Sequence, residues 1–172
     1  MNNININSLN KTREEILKGE FPDKKSFEVQ GEWIFNEEGQ FKAEIEFPKG
    51  KINLITDQPP PSGGRGNAPN PVQYCVFAMI SCYATTFMTI AASKGIEIKK
   101  LKARGASALN MKSVFEIEEG PVVEKVWIEL VVESDANIKI LEEIKKKTDK
   151  KCPAAYIAQN KIPFESTLYT AK

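Results

Sequence analysis

The sequence predicts an α+β protein built on one long buried helix with antiparallel strands before and after it. Three observations carry the prediction. No charged residue occurs from Val72 to Ser93, a stretch long enough for about six turns of helix. Apolar residues alternate with polar ones between Phe27 and Ile55, and again between Ile96 and Val132, which is the period of half-buried strands. Finally, 172 residues, 41% of them hydrophobic, are enough to bury one core without disulfide staples, so a single domain is expected.

Taken in order, residues 1–24 read as an N-terminal extension and residues 25–172 as the domain proper. A short helix is expected over residues 8–18, with Thr12 and Glu15 at capping-box spacing and Gly19 as its stop. Phe27, Val29, Trp33 and Phe35 alternate up to a break at Asn36-Glu37-Glu38-Gly39, and Phe41, Ala43, Ile45 and Phe47 resume the pattern. That is a hairpin with one buried face. Pro48-Lys49-Gly50 turns the chain into a third strand at Ile52–Ile55. The segment from Asp57 to Gly66 is too rich in Pro and Gly for a regular element and is long enough to line a site.

Asn70 is placed to cap the long helix, with Pro71 at its first position and Gln73 three residues after the cap; Gly95 marks its end. By length alone this helix could cross a bilayer. Its Gln73, Ser81, Thr85, Thr86 and Thr89 dilute the apolarity, and the amphipathic strands require a core, so burial on nearly all sides is the expectation. One chain has few elements left to cover such a helix, and a second copy is expected to do so.

Strands are predicted from Ile96 to Phe115 and from Val122 to Val132, then a helix capped by Ser134 or Asp135 with Ile138, Leu141 and Ile144 on one face. Cys152-Pro153 opens a last short helix to about Gln159, and Pro163–Tyr169 reads as a closing strand.

Composition removes several classes of function. The formal charge is +1, without the basic excess of a nucleic-acid binder. There is no histidine, which excludes Ser-His and Cys-His pairs and imidazole zinc sites. Gly63-Gly64-Arg65-Gly66 lacks the Gly-Lys-Ser/Thr ending of a phosphate loop. The start, Met1-Asn2-Asn3-Ile4-Asn5, has neither the basic nor the apolar region of a secretory signal, and three cysteines form no even-numbered framework. A cytoplasmic setting with free thiols is expected.

The cysteines are therefore the residues most able to carry chemistry. Cys82, midway along the long helix, reads by itself as a small buried hydrophobe. Cys152 follows Lys150 and Lys151 at a helix start, where cations and free amides favour a thiolate. Cys75 lies seven residues before Cys82, about 10 Å along a helix and too far for a disulfide, and reads as core. A Cys82–Cys152 pairing meets no such local obstacle.

With those residues in view, Pro69-Asn70-Pro71-Val72-Gln73, Ile80-Ser81-Cys82-Tyr83, Gly95-Ile96 and Cys152-Pro153, preceded by Asp57-Gln58-Pro59 and Gly63-Gly64, resemble the OsmC/Ohr family in order and spacing. The resemblance implies an intertwined homodimer, with two central helices enclosed by antiparallel sheets and a thiol site at each end of the interface. It also implies reduction of hydroperoxides. Cys82 attacks the peroxide oxygen, Cys152 condenses with the resulting sulfenic acid, and an external dithiol reduces the disulfide. No metal or organic cofactor is required.

The chain departs from the family pattern at two points. Val72 stands where hydroperoxide-reducing members carry a glutamate, with Gln73 beside it. The family's arginine comes from the early strands, yet residues 26–56 contain none; Arg13, Arg65 and Arg104 are the only arginines, and Arg65 on the loop before the helix is the candidate substitute. Cys82 and Cys152 are thus the candidate catalytic residues, and Gln73 and Arg65 the candidate substrate contacts. Two other readings stay open: a non-catalytic dimer binding a small hydrophobic ligand at the interface, favoured by Val72, and a stress-associated structural dimer.

Overall fold

The computed structural model describes residues 1–35 and 37–170, and its chain divides into two compact units, Met1 with Asn3–Ala78 and Asn2 with Met79–Lys172.

The first unit opens with helix α1, Ile6–Lys18. Its cap is Asn5, whose side chain accepts from the Ser8 amide at 3.0 Å, so the predicted Thr12–Glu15 box does not start the helix and Thr12 lies inside it. Gly19 ends it as expected, in the left-handed conformation at φ 75°, which glycine adopts without a side-chain clash. Strands β1 (Gln30–Trp33), β2 (Phe41–Phe47) and β3 (Gly50–Thr56) form the predicted antiparallel meander, in a register that pairs Trp33 with Phe41 and Ile45 with Ile52. Asn36 of the predicted turn lies outside the described residues.

The predicted buried face of this meander needs correction. β1 has four residues, so Phe27 and Val29 fall outside it, and Phe27, Trp33, Phe47 and Ile52 remain exposed. A single sheet buries a face only against a second layer, and these side chains are at best half covered.

The Pro/Gly loop is more organised than its composition suggests. Pro60–Ser62 makes one 3-10 turn, and the nearly fully buried Asp57 carboxylate accepts from the amides of Arg65 and Asn67 at 3.1 and 2.9 Å. This closes the loop around one carboxylate oxygen that takes two backbone donors. Helix α2, Pro71–Ser93, follows, and Tyr74 fixes its first turn by donating to the Ile55 carbonyl of β3 at 3.1 Å.

In the second unit α2 ends at Gly95, with φ 71° and Ile96 N–H returning to the Ala91 carbonyl at 2.9 Å. Strands β4 (Lys100–Leu109) and β5 (Val123–Glu133) pair antiparallel. Gly105 is where α2 comes down on this sheet: a Cβ there would stand 2.7 Å from the Trp127 carbonyl oxygen and 2.8 Å from Ile80 Cγ2. The strand predicted to reach Phe115 stops earlier, because Asn110 caps a helical turn, α3 (Met111–Val114), by accepting from the amides of Lys112 and Ser113.

Helix α4, Ile138–Lys151, is capped by Asn137 rather than by Ser134 or Asp135. Ser134 instead donates to the Glu97 carbonyl at 2.6 Å. Helix α5 covers Pro153–Gln159 as expected. Pro163–Tyr169 forms no strand; it has no regular structure, is exposed and is paired with no strand among the described residues. An isolated strand leaves its amides to water, and alternation in sequence cannot supply the partner edge it needs.

The core of this unit gathers Phe87 and Ala91 of α2, Ile98 and Ile144, with Leu101, Leu130 and Leu141 packed around them. Asn2 also belongs here: its amide donates to the Ile96 carbonyl at 2.8 Å and its carbonyl accepts from the Ile98 amide at 2.9 Å. The prediction that α2 is buried nearly all round holds only for one stripe of the single chain, since Tyr83, Phe87, Ala91 and Ala92 are its buried residues. Among the described residues α2 is the one helix long and apolar enough to cross a membrane by length and composition.

Candidate functional site

Two positions 70 residues apart in sequence meet in the second unit. Cys82 projects from α2, and Cys152 is the single residue joining α4 to α5, with an extended φ of −74° and ψ of 120°. That break is written into the sequence, because Pro153 has no amide to continue α4 and a fixed φ suited to starting α5. The two Sγ atoms lie 3.5 Å apart, in hydrogen-bond contact with Cys152 as donor. A disulfide needs about 2.05 Å, so bond formation asks for a movement of about 1.5 Å. All three cysteines are free thiols.

The two sulfurs have different surroundings. Cys152 is completely buried with Tyr83 and Ala155, while Cys82 is half-buried. Burial pushes the Cys82 thiol above its ordinary pKa, and the neighbouring Cys152 sulfur pushes the same way. A hydrogen bond from the Ala154 backbone amide opposes both. The amide exposed at the start of α5 therefore serves the helix cysteine, although the sequence placed it beside Cys152. Lys150 and Lys151 are exposed. Thr86 donates to the Cys82 carbonyl at 2.9 Å, holding the turn of α2 that carries the thiol.

Next to the sulfurs lies a polar network that the sequence did not announce. Tyr83 donates to one oxygen of Asp149 at 2.6 Å, and Lys145 donates to the other at 2.8 Å. The Gln159 amide donates to the Asp149 carbonyl at 3.2 Å. Burial raises the Tyr83 pKa, and the Asp149 acceptor and charge raise it further. For Asp149 burial acts upward, but the hydrogen bonds from Lys145 and Tyr83 and the Lys145 charge hold it below the usual carboxylate range. The Lys145–Asp149 spacing of four was legible as a helix-face pair. The Tyr83–Asp149 bond spans 66 residues and had no local signal.

Gln73 and Arg65 belong to the first unit, and each has a partner there. The Gln73 Oε1 accepts from the Asn70 amide at 2.9 Å, as half of a capping box. Arg65 stands 3.9 Å from Glu37 in an exposed ion pair. Cys75, expected in the core, is exposed on α2 in the single chain. Among the described residues no group of three Cys, Asp or Glu side chains is arranged to hold a metal ion.

The fold is thus an α+β chain with antiparallel sheets and a long helix, with two free cysteines in contact where α4 meets α5. The chain belongs to the OsmC-like protein family, whose sequence model matches residues 64–167. Solved structures agree on the fold. An OsmC-like protein from Mycoplasma pneumoniae superposes with a TM-score of 0.60 at 19% identity, covering 80% of this chain and 89% of that one. An organic hydroperoxide resistance protein OsmC from Legionella pneumophila, described as a predicted redox protein, gives 0.55 at 17% identity over 79% and 92%. An organic hydroperoxide resistance protein from Elizabethkingia anophelis gives 0.59 at 13% identity over 79% and 91%. No curated protein matches the chain in sequence.

Proposed function

We propose that this protein is a thiol-dependent hydroperoxide reductase that works through Cys82 and Cys152, as a cytoplasmic homodimer in the oxidative stress response. The observation that carries the reading is the 3.5 Å contact between the two free sulfurs. The names of two structural neighbours as organic hydroperoxide resistance proteins favour the same activity. Exposure supports this division of roles: Cys152 is buried and Cys82 half-buried, which favours Cys82 as the residue that meets the peroxide.

The Cys82 thiolate attacks the distal peroxide oxygen and the O–O bond breaks. The alkoxide leaves and takes up a proton as the alcohol, and sulfur is oxidised to the sulfenic acid. The Cys152 sulfur then attacks the Cys82 sulfur, water leaves, and the disulfide is returned to two thiols by an external dithiol that is itself oxidised. The Ala154 amide stabilises the anionic forms of Cys82. Gln73 and Arg65 are proposed as substrate contacts on the sequence resemblance alone, with Val72 at the family's glutamate position. No metal or organic cofactor enters this scheme.

The test is sulfenic acid formation at Cys82 with one equivalent of tert-butyl hydroperoxide, followed by disulfide formation. Rapid, stoichiometric oxidation abolished by Cys82→Ser is expected; labelling no faster than that of glutathione would reject the activity. A second reading has its own support. Within the first unit Val29, Trp33, Phe41, Ile45, Leu54 and Tyr74 line a mainly apolar groove of about 600 Å³, suited to a small hydrophobic ligand of a non-catalytic dimer. Native mass spectrometry of freshly purified protein separates the two, because a ligand-free dimer with peroxidase activity removes this second reading.

A further inference from the structure

We propose that Asp149, acting through Tyr83, is a positioning residue that holds the sealed Cys152 sulfur within bonding reach of Cys82 and so sets the rate and equilibrium of disulfide closure.

Cys152 needs such a device because of where it sits. It is the non-helical link between α4 and α5, and its own backbone bonds run only along the chain, to Thr148 at 2.9 Å and from Tyr156 at 2.8 Å. Neither bond ties the link to α2, the helix that carries the other sulfur. Apart from the Ala154 amide at the Cys82 sulfur, the tie comes from the residues next door. Tyr83 directly follows Cys82, Asp149 lies three residues before Cys152, and the two are joined at 2.6 Å. The brace therefore runs alongside the sulfur contact, from the same turn of α2 to the same end of α4.

Asp149 is also where the third helix is caught. Its second oxygen accepts from Lys145 of α4 at 2.8 Å, and its backbone carbonyl accepts from Gln159 of α5 at 3.2 Å. Gln159 holds the Ala155 carbonyl as well, at 2.9 Å. One residue thus binds α2, α4 and α5 at the junction that contains Cys152. Tyr83 as a residue is 5% exposed and its bond to Asp149 is partly buried, so losing the acceptor leaves a donor with limited access to water. Closure of a dithiol depends on how often the two sulfurs stand in line at bonding distance, which is an effective-concentration effect that a loosened junction reduces.

This inference rests on the redox reading above, and its test separates the two. The disulfide equilibrium of full-length wild type, Tyr83→Phe, Asp149→Asn and Asp149→Glu is measured in glutathione buffers, with Cys75→Ser in every background, and needs no hydroperoxide. Tyr83→Phe keeps the ring in place and removes only the hydroxyl, so it serves should Asp149→Asn fold poorly. Tyr83→Phe and Asp149→Asn are expected to lower the closure equilibrium about tenfold, near 30 mV for a two-electron couple. Sulfenic acid consumption should slow similarly, its formation should change less than twofold, and Asp149→Glu should recover part of the loss. Variants that melt lower but close at the wild-type ratio and rate overturn the brace. A wild type that forms the disulfide in glutathione but ignores hydroperoxide removes the peroxidase reading alone, and a wild type that forms no disulfide overturns both.

Discussion

Asn70 and Gln73 exchange hydrogen bonds across the first turn of α2: the Gln73 amide donates to Asn70 Oδ1 and the Asn70 amide to Gln73 Oε1, both at 2.9 Å. Two amides that the helix leaves unpaired are satisfied by one pair of side chains. Asn70→Ala is expected to cost about 1 kcal/mol, read as a lower denaturant midpoint at unchanged slope. Asn70→Asp, which keeps the acceptor, should fall within about 0.5 kcal/mol of wild type. Equal losses in the two variants would show that the cap contributes nothing.

The loop before that helix is held by a single carboxylate. Asp57 is 2% exposed, and two backbone amides, Arg65 and Asn67, depend on it. Asp57→Ala should therefore destabilise by about 2–3 kcal/mol, the cost of losing hydrogen bonds to a charged acceptor and stranding their donors. Gly64 is constrained in the same turn, since a Cβ there would overlap the Gln58 carbonyl and crowd the Asp57 side chain. Gly64→Ala should match the loss in Asp57→Ala, and the double variant should be far from additive. Additive thermal shifts would mean the two residues act separately.

Caps and turns of this kind are encoded locally. The Asn70–Gln73 cap, the Gly19 and Gly95 stops and the β1–β3 meander were legible in the sequence because each depends on residues within a few positions of one another. For Cys82 and Cys152 the sequence showed only that no local geometry keeps them apart; their contact at 3.5 Å is a tertiary feature. Local signals failed where several competed. Ser134, Asp135 and Asn137 all suit a helix start, and only backbone geometry selects Asn137. Asn110 stops β4 although apolar alternation continues to Phe115. The segment from Pro163 to Tyr169 has strand character but no edge to join, and Tyr83–Asp149 and Asn2–Ile98 are bonds between remote positions. Tertiary context decides all of these.

Stability should respond to pH through Tyr83 and Asp149, on both sides of neutrality. The Asp149 pKa is held low in the folded state, so its contribution is complete above the unfolded value of about 4 and is lost as pH falls through the lower folded value. The Tyr83 pKa is held high, so its contribution is complete below about pH 10 and is lost as pH rises beyond it. The gap in unfolding free energy between wild type and Tyr83→Phe should be widest between about pH 5 and 9, near 1.5 kcal/mol, the lower end for a bond to a charged group. It should narrow in acid and in alkali. A gap that stays constant from pH 3 to 11 would falsify the ionic character of this bond.

Cys82 should react as a thiol whose ionisation is suppressed. Burial and the Cys152 sulfur raise its pKa, against the Ala154 amide. In a Cys75→Ser background, alkylation of Cys82 by iodoacetamide should still be accelerating above about pH 8.5, the ordinary thiol midpoint. Cys152→Ala removes one of the two upward influences, so the midpoint should move down while staying above the ordinary value, because burial is the larger cause. A midpoint near 7 in wild type would require a cation beside the sulfur that the described residues of the second unit do not present.

The state of assembly follows from what one chain fails to cover. Helix α2 carries no charged residue, yet only Tyr83, Phe87, Ala91 and Ala92 are buried, and Phe77 is 64% exposed. The segment after α5 adds Phe164, Leu168 and Tyr169, each close to 90% exposed. Side chains of this size gain about 1.5–3 kcal/mol each when removed from water. A second copy is the occupant we expect, since a twofold interface lets the same helix cover its own counterpart. Sedimentation should therefore give a mass near twice 19.2 kDa without detergent. Phe77→Glu, which puts a charge on the open face of α2, should shift the protein toward monomer and raise its binding of hydrophobic dyes. A protein that sediments as monomer in both forms, or that stays in solution only with detergent, would leave that face to a different partner.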